Sequence, residues 1–193
     1  MSIANRFIEY HKASIESSLA LNDAVFIKSY TEAVEACVMA LRSGNRIFTA
    51  GNGGSHADAI HIAGELVNYF TVPHEGLPVM ALGCNPSVLT SWANDHSFEE
   101  QMARELSAYA KSNDILIAIT TSGKSRNIHK LIETARRYGV KIITLTSESG
   151  ATLIDADISL CVKSLITPHI QEGHIIIYHA LCAEIEFQLT HGN

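Results

Sequence analysis

Residues 47–61 read IFTAGNGGSHADAIH, and residues 116–130 read LIAITTSGKSRNIHK. The two stretches share one plan: an apolar run, a small polar turn holding glycine, then a segment that suits a helix. A short apolar run bounded by glycine and serine reads as a buried strand. Strand-to-helix units of this kind imply a parallel sheet covered by helices on both faces. In such a sheet both turns lie at the carboxyl ends of their strands, where open α/β sheets bind ligands.

The rest of the chain extends this alternation. Further strands are expected at Val79–Leu82, Ile115–Thr120, Lys141–Thr146 and Ile158–Val162, beside the first at Arg46–Ala50. Helices are expected near 55–69, 86–93, 97–110, 125–138 and 169–189. Upstream, residues from about 3 to 43 read as two helices, with Phe7, Ile8, Ile15 and Leu19 near helical spacing in the first and Ala33, Val34, Cys37, Val38 and Leu41 in the second. Leu21-Asn22-Asp23 breaks them, with Asn22 or Asp23 as the next N-cap. The 73–78 segment, flanked by prolines, reads as a loop. No linker or low-complexity tract interrupts the 193 residues, so one domain is expected.

Bulk properties narrow the function classes. A composition 47% hydrophobic and 18% charged belongs to a globular chain. The net charge of -6 argues against a basic nucleic-acid surface, so any phosphate affinity must be local. The opening MSIANRFIEYHK lacks the basic region and apolar run of a signal peptide. No stretch reaches the roughly 18 apolar residues of a membrane span. Cys37, Cys84, Cys161 and Cys182 form no CxxC pair, and their apolar neighbours suggest buried free thiols in a reducing compartment. A cytoplasmic protein is expected.

The second turn, Thr120-Thr121-Ser122-Gly123-Lys124-Ser125, suits an anion. Unpaired N–H groups at a helix start point outward, and the helix dipole favours negative charge there. Hydroxyls add donors without fixed charge. Ser55 of the first turn is a further contributor. Gly123-Lys124-Ser125 resembles the end of a P-loop, but the earlier glycine would fall at Ala118. The first turn also lacks GxGxxG, since Ala57 and Asp58 follow His56. Nucleotide binding is therefore disfavoured, and a small phosphorylated molecule is favoured.

Titratable groups stand beside these turns. His61 and Glu65 are four residues apart and share a helix face. Gln171, His174, Tyr178 and His179 fall at offsets that make one stripe of the last helix, with Ile170, Ile176, Ile177, Ala180 and Leu181 on its other face. Imidazole and carboxylate serve either as proton-transfer groups near neutral pH or as zinc ligands. Asn94-Asp95, after the lone Trp92, can end a helix or orient a substrate hydroxyl. His11, His74, His129 and His191 are taken as ordinary core or surface residues.

Five motifs occur in order: Gly51-Asn52-Gly53-Gly54-Ser55-His56; His61-x-x-x-Glu65-Leu66; Ala93-Asn94-Asp95; Thr121-Ser122-Gly123-x-Ser125; and Ile170-Gln171-Glu172-x-His174 with His179. Over nearly the whole chain this resembles the phosphoheptose isomerases of the sugar isomerase (SIS) domain superfamily. The resemblance implies a three-layer α-β-α sandwich with a five-stranded parallel sheet, the N-terminal helices being an extension of about 1–43 on a single SIS domain. It implies an aldose–ketose isomerase that converts sedoheptulose 7-phosphate to D-glycero-D-manno-heptose 7-phosphate on the way to bacterial surface heptoses of lipopolysaccharide or capsule. It further implies a homotetramer with active sites at subunit interfaces, and no nucleic-acid or membrane partner.

Carried over by motif, Asn52, Gly53, Gly54, Ser55, Asn94 and Asp95 contact substrate, and Thr120, Thr121, Ser122 and Ser125 hold its phosphate. His61, Glu65, Gln171 and His179 match the ligands of one zinc ion per subunit, with Glu65 and Gln171 also touching substrate. Glu65 and His179 match the acid/base pair, and which of them acts first is open. The chain departs from the family pattern at Tyr69, where arginine is common, at Pro168, where aspartate is frequent, and at Thr120 and Lys124. Tyr69 and Pro168 keep open an isomerase of another sugar phosphate. A non-catalytic relative that binds the replication initiator is the remaining alternative, and such relatives tend to lose the His/Glu pair that this chain keeps.

Overall fold

The computed structural model describes residues 1–192. A five-stranded, all-parallel sheet runs in the order β2-β1-β3-β4-β5, built from β1 (Ile47–Ala50), β2 (Val79–Ala81), β3 (Ile115–Ile119), β4 (Lys141–Ser147) and β5 (Ile158–Val162). The order reverses at β1, which lies between β2 and β3, so the turns after β1 and β3 open on the same crevice.

Alternation along β3 explains the layers. Ile115, Ile117 and Ile119 enter one core, and Leu116 and Ala118 enter the other. The first core is closed by α2 (Ala24–Arg42), α3 (Gly54–Val67) and α8 (Thr167–His191). The second is closed by α5 (Gln101–Tyr109) and α6 (Arg126–Arg137). Both faces of every central strand are buried, which is why these strands read as continuous apolar runs. The remaining helices are α1 (Ile3–Leu19), α4 (Pro86–Asp95) and the short α7 (Glu148–Ala151), which the sequence reading did not anticipate.

The N-terminal helices belong to the same body. Asp23 caps α2 by accepting from the Phe26 N–H at 2.8 Å, and α2 buries Ala33, Val34, Cys37 and Val38 in the first core. On α1, Tyr10 and Ser14 donate to the Glu172 carboxylate of α8, each at 2.5 Å.

Two expectations need correction. Cys37 and Cys182 are buried, but Cys161 is only half-buried and Cys84 is exposed on a loop, where the apolar neighbours of the other thiols are lacking. On α8, Ile170, Ile177 and Leu181 face inward as expected, yet Ile176 and Ala180 are exposed while His174 and Tyr178 are buried. The polar stripe faces the sheet and α3, where Tyr178 meets His61 and His174 Nε2 meets the Thr146 carbonyl, and part of the isoleucine face is left outside.

Candidate functional site

The first turn leaves β1 and enters α3 at Gly54. Its helix offers one stripe, Asp58, His61 and Glu65, to α8. His61 Nε2 lies 2.8 Å from Glu65 Oε1. From α8, His179 closes the group: one ligand-capable atom each from His61, Glu65 and His179 lies within 4.8 Å of the others. The His61 and His179 rings meet edge to face at 5.1 Å. Glu65 is half-buried and His61 more open, so the cluster faces a molecule arriving from outside.

The cluster has an inner layer. The Tyr178 hydroxyl, almost fully buried, lies 2.8 Å from His61 Nδ1. Burial and then the neighbouring Asp58 carboxylate raise the Tyr178 pKa, so its proton stays on. Asp58 is itself pushed up by burial, against the pull of His61 and Tyr178, and its Oδ2 has no partner. Tyr178 was expected on the polar stripe of the last helix but without a role, and Asp58 did not stand out as a site residue in the sequence. Only the spacing Asp58–His61, one helical turn, could have pointed to Asp58.

His174 does not join the cluster. It is fully buried, its Nε2 lies 3.3 Å from the Thr146 carbonyl, and burial lowers its pKa to about 4. It is a neutral core group behind the site.

Gln171 sits at the other end of α3. Its amide packs so closely on Gly54 that a Cβ there would collide with it. Gly54 therefore gives Gln171 its place at the head of the helix, on the side of the turns.

The second turn leaves β3. Gly123 takes φ +65 and packs on the backbone of Gly150 in α7. Thr120 Oγ1 accepts from the Gly123 N–H at 3.3 Å, and the Gly123 carbonyl meets His129 Nε2 at 2.8 Å. Thus His129, taken from the sequence as an ordinary core or surface residue, and Gly150, not singled out there, shape the turn. Ser125 is the N-cap of α6, but its hydroxyl caps nothing and is left for a ligand. Thr121 and Ser125 are half-buried and Ser122 is exposed. The turn thus has an open mouth at a helix N-terminus, suited to an oxyanion.

The two turns are tied together. Asn52 donates from Nδ2 to Asn127 Oδ1 at 2.9 Å, and Asn127 donates back to Asn52 Oδ1 at 2.7 Å. This reciprocal amide pair joins the glycine turn to the first turn of α6. Asn52 and Gly53 also line a cleft of about 180 Å³ with Gly83 and Gln101. Ser55 is buried beneath the turn. Asn94 and Asp95 end α4, are exposed, and bond to each other at 2.8 Å. They are not hydrogen-bonded to the cluster.

The chain thus holds a proton-transfer cluster on the C-terminal half of α3 and an anion turn at the head of α6. A family model described as "SIS domain" matches residues 10–147. The chain is 41% identical over 180 residues to a phosphoheptose isomerase of Crocosphaera subtropica, covering 91% of this chain and 92% of that one. It is also 41% identical over 179 residues to that of Thermodesulfovibrio yellowstonii, at 91% and 89% coverage. Among solved structures, a phosphoheptose isomerase from Francisella tularensis superposes with a TM-score of 0.90 at 33% identity, covering 96% of this chain and 98% of that one. The enzyme from Neisseria gonorrhoeae gives 0.88 at 30% identity, with 96% and 99% covered.

Proposed function

The chain belongs to the phosphoheptose isomerases of the SIS-domain family, and from that premise we propose how its residues carry out the reaction. The protein isomerises sedoheptulose 7-phosphate to D-glycero-D-manno-heptose 7-phosphate in heptose biosynthesis. The observation that carries the residue assignment is the meeting of Glu65 and His179, from helices far apart in sequence, within 4.8 Å.

The ketose becomes an aldose when a proton leaves C1 and another is added at C2, through an enediol. Glu65 removes the C1 proton and His179 delivers a proton to C2, while the O1 hydroxyl proton passes to the C2 carbonyl oxygen, so that O1 becomes the aldehyde oxygen and O2 the hydroxyl; exchange with solvent returns Glu65 and His179 to their starting states. The phosphate rests on the Thr120–Ser125 turn, held by backbone N–H groups, the Thr121, Ser122 and Ser125 hydroxyls and the α6 dipole. Asn52, Gly53 and Gly54 hold the sugar near the turn. Asn94 and Asp95 complete its hydroxyl contacts when subunits assemble. The pairing of Asn52 with Asn127 keeps the phosphate end and the reacting end in register.

Zinc is part of this reading. Two imidazoles and a carboxylate within 4.8 Å match the three-ligand set of a catalytic zinc site. His61, Glu65 and His179 would hold the ion; Gln171, whose amide packs on Gly54 at the other end of α3, would have to swing away from Gly54 to serve as a fourth, neutral ligand. When bound, it supplies Lewis-acid stabilisation of negative charge on substrate oxygens. The Tyr178 hydroxyl at His61 Nδ1 is the outer contact such a ligand needs to keep its ring oriented.

A homotetramer with the sites at subunit interfaces, residing in the cytoplasm, completes the proposal. In support, Ile60, Val67, Tyr69, Ile175 and Ile176 leave large apolar surface open around the cluster, and on α1 Ile3 and Phe7 are more than half exposed. No helix among the described residues is long and apolar enough to cross a membrane. Turnover of sedoheptulose 7-phosphate in a coupled assay tests the reading. It should be lost in Glu65→Gln and in His179→Ala. Unchanged turnover in both variants overturns the residue assignment, and turnover of a different sugar phosphate alone overturns the substrate.

A further inference from the structure

We propose that Glu186 is a positioning residue for this reaction: it folds the 70–74 segment so that the Phe70 ring holds the His179 imidazole in its working orientation. The inference rests on the assignment of His179 to proton transfer.

Glu186 lies on α8, seven residues after His179, or about 10 Å along the helix. Its side chain is fully buried. The carboxylate accepts from three successive backbone N–H groups: Phe70, Thr71 at 2.7 Å and Val72 at 3.1 Å. It also accepts from the Thr71 hydroxyl at 2.9 Å and from His74 Nε2 at 3.0 Å. Successive N–H groups converging on one oxyanion form a nest. Here the oxyanion is the protein's own side chain.

His74 closes the ring of groups around the carboxylate: its Nε2 lies 3.0 Å from Glu186 Oε1 and its Nδ1 2.6 Å from the Glu75 carbonyl.

The segment so pinned follows directly from α3, the helix of His61 and Glu65. Its first residue, Phe70, stacks on His179 with centroids 5.2 Å apart and planes at 22°. Among the described residues no hydrogen bond reaches either nitrogen of His179. The side chains in contact with its ring are Phe70, His61 and Tyr178. Of these, only Phe70 lies parallel to it and blocks its rotation. Glu186 reaches the imidazole through this one ring, and does not touch the reacting atoms.

The test uses the full-length protein and four variants: Phe70→Leu, Phe70→Tyr, Glu186→Gln and His179→Ala. Steady-state kinetics with sedoheptulose 7-phosphate is paired with histidine ring-proton NMR, since a stacked phenyl ring shifts the His179 resonances. Phe70→Leu and Glu186→Gln should each lower kcat by about tenfold or more, with KM within about twofold. Both should move the His179 ring protons toward unstacked values. Phe70→Tyr, which keeps the stack, should restore kcat. A wild-type kcat in Phe70→Leu overturns the proposal, and so does an unmoved His179 resonance in folded Glu186→Gln. If Glu186→Gln does not fold, the Phe70 pair alone decides. Activity retained in His179→Ala would instead sink the proton-transfer assignment beneath it.

Discussion

Replacing Gly123 by alanine separates the phosphate turn's geometry from its composition. Two costs add at this position. At φ +65 a side chain meets its own backbone, at about 1–2 kcal/mol. The new Cβ would also collide with the Gly150 carbonyl oxygen, and would lie 2.8 Å from Gly150 Cα and 2.9 Å from Gly150 C, these two about 0.5–0.6 Å inside the 3.4 Å of an ordinary contact. All three are backbone atoms, so no rotamer change relieves the clash. Overpacking of this kind costs about 1–3 kcal/mol. Gly44 is the control, because it has φ +75 with nothing within 4 Å of the added Cβ. Gly44→Ala should therefore lose only the first term, and Gly123→Ala about 2–5 kcal/mol in all. Urea unfolding at fixed protein concentration reads both. The turn must also move by several tenths of an ångström, which should cut kcat/KM by about 10–100-fold, since misplacement near 1 Å costs about 10²-fold. Equal stability losses in the two variants, with kcat/KM unchanged in Gly123→Ala, would refute the argument.

Further outcomes follow from other parts of the structure. His174 binds a proton with a pKa of about 4 in the fold against 6.5 when free, so the unfolded chain holds more protons between those values. Stability should thus be full above about pH 6.5 and fall by roughly 3 kcal/mol as pH drops toward 4; a folded His174→Gln should lack that component in a pH series of unfolding curves, and its persistence would contradict the assignment. Asn127→Ala removes both bonds of the amide pair with Asn52, and should raise KM about tenfold while leaving kcat nearly unchanged; an unaltered KM would show that the pair does not set the register. Metal analysis of protein purified without chelator should find one zinc per subunit and a large loss in His61→Ala; equal metal content in the two proteins would remove His61 from the ligand set.

The alternation of strand and helix was legible because each buried strand is short, apolar and bounded by turn residues. The Gly51–Ser55 and Thr120–Ser125 turns could be placed for the same reason. His61 and Glu65 were legible too, since helical spacing alone sets them on one face. The orientation of α8 was not. Apolar residues surround that helix, and its burial is decided by partners: Tyr178 by His61, His174 by Thr146. Ile176 stays exposed against the expectation from periodicity. Glu186 and His74 left no local signal, because the carboxylate is matched by backbone N–H groups more than 110 residues away, and such donors have no sequence signature. Asn127 and Gly150 were hidden likewise, each acting on a turn that its own segment does not contain.

The measurement closest to the centre of this account is the isotopic fate of the migrating proton in D₂O. With Glu65 removing one proton and His179 supplying another, the aldose formed early in the reaction should carry deuterium at C2, and the Glu65→Gln protein should neither exchange the C1 proton nor form product. A C2 hydrogen derived wholly from the substrate, or exchange at the wild-type rate in Glu65→Gln, would contradict a two-group proton transfer at this site.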